Sequence, residues 1–249
     1  MNDSTELVKL ESERLWDQAF EQLRNAIYAG RFGPGTVLSL RHLAKSFGTS
    51  ITPVRDAVAR LVSLGVLDRG ARNAAIVPFV TTETFTHLTS VRYEIEGLAA
   101  REAALGARAD SALELAAQLD HMKGLIAAEQ FGSYLEAHRA FHFKIYAMAG
   151  NPILSEIIEM LWLRFGPVLS FVVPDYVKLL KGTDYHTAIV AAIRRGDGAA
   201  AENAIISDIR EAAGYISGLA DARGVIRPPA LNEQAVRTTA PEEGLAAVH

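Results

Sequence analysis

Cysteine is absent from the 249 residues, which excludes disulfides and any metal site built on thiolates. No apolar run approaches the roughly 18 residues that a membrane-spanning helix requires. Met1 to Lys9 is polar and acidic and has no signal-peptide core. A cytoplasmic protein with no membrane partner is the expectation. A large excess of one charge is also missing, since the formal net charge is only −4. The balance is nevertheless uneven. Between Leu23 and Val80, eight Arg and Lys residues stand against two Asp, a net +6 that leaves −10 for the rest of the chain. A basic stretch beside an acidic remainder is the electrostatic footprint of phosphate binding, and the acidic part would be repelled from DNA and so orient the module. Charge alone would equally suit a solvated surface.

Local pattern sharpens this. Leu38, Leu43, Ala44 and Phe47 form a short apolar stripe beginning next to Ser39, whose hydroxyl can cap free N–H groups, and Gly48 breaks the helix. Thr49 or Ser50 can cap a second helix, Pro53 fits its first turn, and Val54, Val58, Leu61 and Val62 make its buried face. Ser50, Ile51, Thr52 and Arg55 are left pointing outward. Turn residues at Asp68-Arg69-Gly70 and Arg72-Asn73, between short apolar runs from Val66 to Val80, predict a two-stranded wing. Two short helices, a tight break and a polar outer face form a device for reading DNA.

In these residues the chain resembles the winged helix-turn-helix of GntR-family transcriptional regulators. Gly30-Arg31, Pro34-Gly35, Leu43-Ala44, Pro53-Val54-Arg55-Asp56-Ala57, Leu61 and Leu64-Gly65 occur in the family's order. The resemblance implies that Arg41, Ser50, Ile51, Thr52 and Arg55 contact DNA. Many relatives carry arginine where this chain has Ile51.

Past Pro78 the chain turns to alanine- and leucine-rich segments with helical spacing. Helices are predicted over Thr82–Ala104, Ser111–Glu129, Ser133–Ala149, Ile153–Val173, Tyr176–Arg195 and Ala199–Leu219, separated by Gly-, Pro- and Asp-containing breaks. The expected architecture is mainly α: a winged helix-turn-helix over residues 1–80, an all-α helical bundle over 81–220 and a disordered tail over 221–249.

Polar residues interrupt the apolar stripes of this second domain. His138 and His142 stand one turn apart on the stripe of Tyr134, Leu135, Phe141, Ile145 and Met148. His186 lies with Ile189, Val190 and Ile193, and Asp208 with Ala201, Ile205 and Ala212. A carboxylate on an apolar face is costly unless it is paired or bound to a cation. Taken singly, each of these residues reads best as a hydrogen-bonded core residue. As a set on three helices they could supply an N/O site for a divalent metal such as Zn²⁺ or Ni²⁺.

Residues 82 to 220 resemble the FCD-type effector domain of FadR-like GntR regulators, in the six-helix, VanR-like variant. Val91-Arg92 with Glu96-Gly97-Leu98-Ala99-Ala100, His138 through Phe141-His142 with Ala149-Gly150-Asn151-Pro152, and His186 with Gly196-Asp197 carry the match. The resemblance implies an all-helical, dimeric domain that binds a metal holding a carboxylate-bearing metabolite. It departs from the family in two places. The family usually has aspartate at the position of His138 and histidine at that of Asp208. The opposite exchanges conserve a total of three histidines and one carboxylate.

Arg92 sits on the stripe of Phe85, Leu88, Ile95 and Ala99, one turn from Glu96. It either pairs with Glu96 or faces the cavity to grip a carboxylate. Arg164, amid Leu161, Trp162 and Phe165, is a second candidate for the effector, and Tyr134 can add a hydroxyl. The reading is a homodimeric, ligand-responsive regulator, acting as a repressor, that binds double-stranded operator DNA and a small carboxylate. The alternatives are a metal-dependent enzyme, with Glu136 or Glu96 as a base, and a helical domain that serves only dimerisation, with a structural metal or none.

Overall fold

The computed structural model describes residues 13–169 and 182–228. The chain opens with α1 (Glu13–Tyr28), followed by β1 (Val37–Ser39), α2 (Leu40–Ser46), α3 (Ile51–Ser63), β2 (Asp68–Arg69) and β3 (Ala74–Ile76). It continues with α4 (Thr82–Leu105), α5 (Ala109–Ala127), α6 (Phe131–Met148), α7 (Pro152–Leu169), α8 (Gly182–Arg195) and α9 (Gly198–Ser217). The mainly α class with a winged head and a helical second domain is what the spacing predicted.

The head forms as its sequence dictates. Ser39 caps α2, its hydroxyl accepting from the His42 N–H. Gly48 holds φ +64, a left-handed conformation that a side chain would resist, and so closes the break before α3. Val54, Ala57, Val58 and Leu61 are the buried residues of α3, while Val62 is only half-buried. The predicted wing is present as β2 and β3, whose connection passes through left-handed Arg72 and Asn73. β1 adds a third antiparallel strand, giving the order β1-β3-β2.

Three features were not read from the sequence. α1 buries Ala19, Phe20, Leu23 and Ile27 and packs on α3 and α7. It also commits cations of the basic window to structure. Arg24 pairs with Glu21 and with Glu159 of α7, and Arg60 lies over the rings of Trp16 and Phe20.

The second difference lies after Asp221, where a disordered tail was expected. Residues 221–228 instead fold back onto the connection between the two domains. Ile226 is buried, its N–H donates to Val80 O, and the Thr82 N–H donates to Gly224 O. Residues 229–249 lie outside the described residues, as do the predicted end of one helix at Val173 and the start of the next at Tyr176.

The third is the seam between the domains. Glu159 takes Arg24, and its backbone carbonyl accepts from the Tyr28 hydroxyl. Gly166 lies so close to α1 that an added Cβ would stand 2.8 Å from Ile27 O. α7 therefore packs on the helical core with one face and carries the head on another. Among the described residues, no helix is long and apolar enough to cross a membrane.

Candidate functional site

The side chains with chemistry gather where α6, α8 and α9 meet over α4 and α7. His138 and His142, four residues apart on α6, present the same face, and α8 brings His186 while α9 brings Asp208. One ligand atom from each of the four lies within 4.8 Å of all the others. The Nε2 of His142 stands 3.1 Å from His138 Nε2, 3.2 Å from His186 Nε2 and 3.5 Å from Asp208 Oδ2. His186 Nε2 is 3.4 Å from Asp208 Oδ1. His142, His186 and Asp208 are buried and His138 half-buried.

A neutral imidazole nitrogen offers either one donor or one lone pair, yet His142 Nε2 faces three polar atoms at close range. A cation would meet all of them. Nitrogen ligands held about 2.0–2.1 Å from a tetrahedral zinc stand about 3.3 Å apart, close to the 3.1–3.5 Å of these four contacts, although the set as a whole spreads to 4.8 Å. Burial, followed by the charge of His186, pushes His138 down to about 3. Burial, followed by His138 and His186, holds His142 well below the usual histidine range. Both rings are therefore in the neutral, ligating form at physiological pH. Burial works to raise the Asp208 carboxyl, but His186, His138 and Arg92 outweigh it and keep the group low, and thus ionised. Three imidazoles and a carboxylate are a donor set that fits a divalent ion of the zinc or nickel kind.

Around these four runs a second layer. Glu96, fully buried on α4, receives Arg92 Nε on Oε1 at 2.5 Å and Arg92 Nη2 on Oε2 at 3.2 Å. Trp162 Nε1 of α7 donates to Oε2 at 3.1 Å, and the Tyr146 hydroxyl donates to the same oxygen. His142 Nδ1 stands 3.1 Å from that hydroxyl. Arg92 also lies over the rings of Trp162 and Phe165. Tyr146 and Trp162 were not singled out in the sequence, where an aromatic on an apolar stripe is indistinguishable from ordinary core.

The effector candidates divide. Tyr134 is buried, tilts against the His138 ring at 5.6 Å, and has its hydroxyl raised by burial and by Asp208, which places it beside the cluster. Arg92 gives its Nε and Nη2 to Glu96, so the intrahelical pair is formed. Arg164 is a correction. Its side chain is exposed, points away from the cluster toward the head, and donates from Nε to Leu64 O at 2.8 Å, just past the end of α3. An arginine at the edge of an apolar stripe is long enough to leave it for an open carbonyl. Arg164→Ala is thus expected to leave affinity for any pocket ligand unchanged and to cost no more than about 1 kcal/mol of stability. Ligand titration by calorimetry, with urea unfolding of the same variant, checks both.

At the other end of the molecule, Arg41 on α2 and Ser50, Thr52 and Arg55 at the start of α3 are all exposed. Ser50 is the N-cap residue of α3, yet its side chain makes no capping bond there. Ile51 departs from the expectation of an outward residue. It is half-buried and packs against the head core.

Comparison with known proteins bears on both ends. Residues 15–77 match the family described as bacterial regulatory proteins, gntR family, and residues 87–211 match the FCD domain. The HTH-type transcriptional regulator McbR of Escherichia coli (strain K12) is 29% identical over 191 residues, covering 76% of this chain and 86% of McbR. The HTH-type transcriptional repressor RspR of the same organism is 26% identical over 198 residues, covering 78% and 85%. The solved structure of E. coli McbR/YncC superposes with a TM-score of 0.76 at 27% identity, over 84% of this chain and 97% of that one. A regulator from Rhodococcus sp. RHA1 shares the fold, with a TM-score of 0.68 at 20% identity over 83% of this chain and 99% of that one.

Proposed function

We propose, on the premise that this chain belongs to the gntR family of bacterial regulatory proteins and carries an FCD domain, that it is a metal-containing sensor of a small organic acid that controls its own hold on operator DNA. It is a transcriptional regulator and not an enzyme, as the relatives it matches are. Glu136, one candidate base of the enzyme reading, lies exposed on the outside of α6.

The observation that carries the sensing half is the convergence of His138, His142, His186 and Asp208 in one largely buried cluster, with the other three within 3.5 Å of His142 Nε2. These residues would hold one divalent ion, Zn²⁺ or Ni²⁺, which supplies a Lewis-acidic positive centre attractive to a carboxylate oxygen. Tyr134 lies beside it to donate a hydroxyl. Arg92 adds positive charge from behind Glu96 without releasing that partner.

The exposed Arg41, Ser50, Thr52 and Arg55 form the DNA-facing surface, with Arg72 at the wing turn. Two such heads in a homodimer would meet a two-fold symmetric operator, and repression is the favoured sign of control. The effector acts only so far as it binds better to one placement of the heads than to another. Arg55→Ala should weaken operator binding by about 1–3 kcal/mol if the guanidinium reads a base, measured by fluorescence anisotropy at fixed salt. Unchanged affinity would take Arg55 out of the interface.

The whole reading is tested by operator titrations of metal-loaded and metal-stripped protein against a panel of organic acids. An acid that changes operator affinity only in the loaded protein supports it. A response that survives stripping removes the metal from the mechanism.

A further inference from the structure

We infer that Tyr146, backed by Glu96, is a positioning residue that fixes the tautomer of His142 and so turns its Nε2 lone pair toward the other three ligands. The inference rests on the metal reading above and extends it to a residue outside the ligand set. The argument is one of proton counting. The Glu96 carboxylate is paired with Arg92 and accepts from Arg92 Nε and Nη2, from Trp162 Nε1 and from the Tyr146 hydroxyl. A carboxylate so paired donates nothing, and Tyr146 has a single proton, which is spent on Glu96. The Tyr146 oxygen can then only accept from its remaining neighbour, His142 Nδ1, 3.1 Å away. That nitrogen must carry the hydrogen.

Once Nδ1 carries the proton of the neutral ring, Nε2 is bare. It is Nε2 that faces His138, His186 and Asp208 at 3.1 to 3.5 Å. A ring in the other tautomer would point an N–H into the cluster and would have to exchange protons before it could ligate. Partners that hold a ligating histidine in its correct tautomer commonly contribute ten- to hundredfold in metal affinity. The pair also spans the fold, since Glu96 comes from α4 and Tyr146 from the last turns of α6. The tautomer is thus fixed only once the two helices have packed.

Tyr146→Phe keeps the ring and removes the hydroxyl. In metal-free protein, long-range ¹H–¹⁵N spectra of the histidine rings should show the wild-type His142 in the Nδ1–H form, its signals assigned by their loss in His142→Gln. The variant should shift His142 toward the Nε2–H form, and its Zn²⁺ affinity, read by competition with a chromogenic chelator, should fall about ten- to hundredfold. A Tyr146→Phe protein that keeps the Nδ1–H form and binds Zn²⁺ within about threefold of wild type overturns the proposal. Should that variant not fold, the wild-type spectrum decides alone, because an Nε2–H His142 in metal-free protein contradicts it. A wild type in the Nδ1–H form that binds no Zn²⁺ upholds the tautomer assignment and refutes the metal reading instead.

Discussion

His142→Ala is expected to abolish metal retention and the effector's influence on DNA, while the metal-free variant binds its operator as the metal-free wild type does. His142 is the centre of the cluster, since its Nε2 has close contacts to His138, His186 and Asp208 and the three do not all touch one another through a second atom of that kind. Removing it deletes one ligand of four and leaves a buried gap where Nε2 stood. In the wild type, Zn²⁺ supplied at a hundred times its dissociation constant should stabilise the folded state by about 2.7 kcal/mol. In the variant the same addition should shift the unfolding midpoint by nothing measurable. The residues proposed to face DNA, Arg41, Ser50, Thr52 and Arg55, lie on α2 and at the start of α3, so operator affinity in the absence of metal is expected to be unchanged. Thermal unfolding with and without Zn²⁺, paired with operator anisotropy, reads both halves. A variant that still gains stability from the metal would show that His142 is an ordinary core histidine.

Glu96→Ala should be among the most damaging single substitutions to stability, costing about 3–5 kcal/mol. Its carboxylate is fully buried and accepts from four donors of three residues at once. Without it the Arg92 guanidinium, 4% exposed, becomes an uncompensated buried charge, and Tyr146 and Trp162 lose their acceptor. The cost belongs to the orphaned partners rather than to the ion pair as such. The double variant Arg92→Leu, Glu96→Leu should therefore be more stable than Glu96→Ala. Urea unfolding of the two, compared with wild type, decides it. A double variant less stable than the single would mean that the pair itself, and not its broken half, stabilises the fold.

Much of this was legible in the sequence, for reasons that differ by element. Ser39, Gly48 and the Val54, Val58, Leu61 spacing specify the two head helices locally, through a cap, a left-handed residue and a period, and all three act within a few residues of themselves. α1 has the same kind of signal in Ala19, Phe20, Leu23 and Ile27, which share one face of a helix, and the period would have revealed it. β1 has only three residues, too few for alternation to show, and exists because β3 pairs with it. The fold-back of residues 221–228 depends on a pairing with Val80 and Thr82 about 140 residues away, and a two-residue apolar step at Val225-Ile226 does not announce it.

The same division runs through the candidate site. Each histidine and Asp208 betrayed its burial by lying on an apolar stripe, and the i, i+4 spacing of His138 and His142 put two of them on one face. That α8 and α9 deliver His186 and Asp208 to that face is a tertiary fact. Arg164 shows the converse. Its stripe neighbours Trp162 and Phe165 do go into the core, but the residue itself turns out to reach Leu64, because α7 has the head on its other side. Likewise, the Arg92–Glu96 pair was one of two readings of a stripe arginine, and the structure shows Nε and Nη2 on that carboxylate.

The most direct test of the metal-centred account is a calorimetric titration of chelator-stripped, full-length protein with Zn²⁺ and with Ni²⁺ at neutral pH. One ion bound per chain, lost in both His142→Ala and Asp208→Ala, is the predicted result. A wild-type protein that takes up neither ion, or takes it up equally well without His142 and Asp208, would contradict the account.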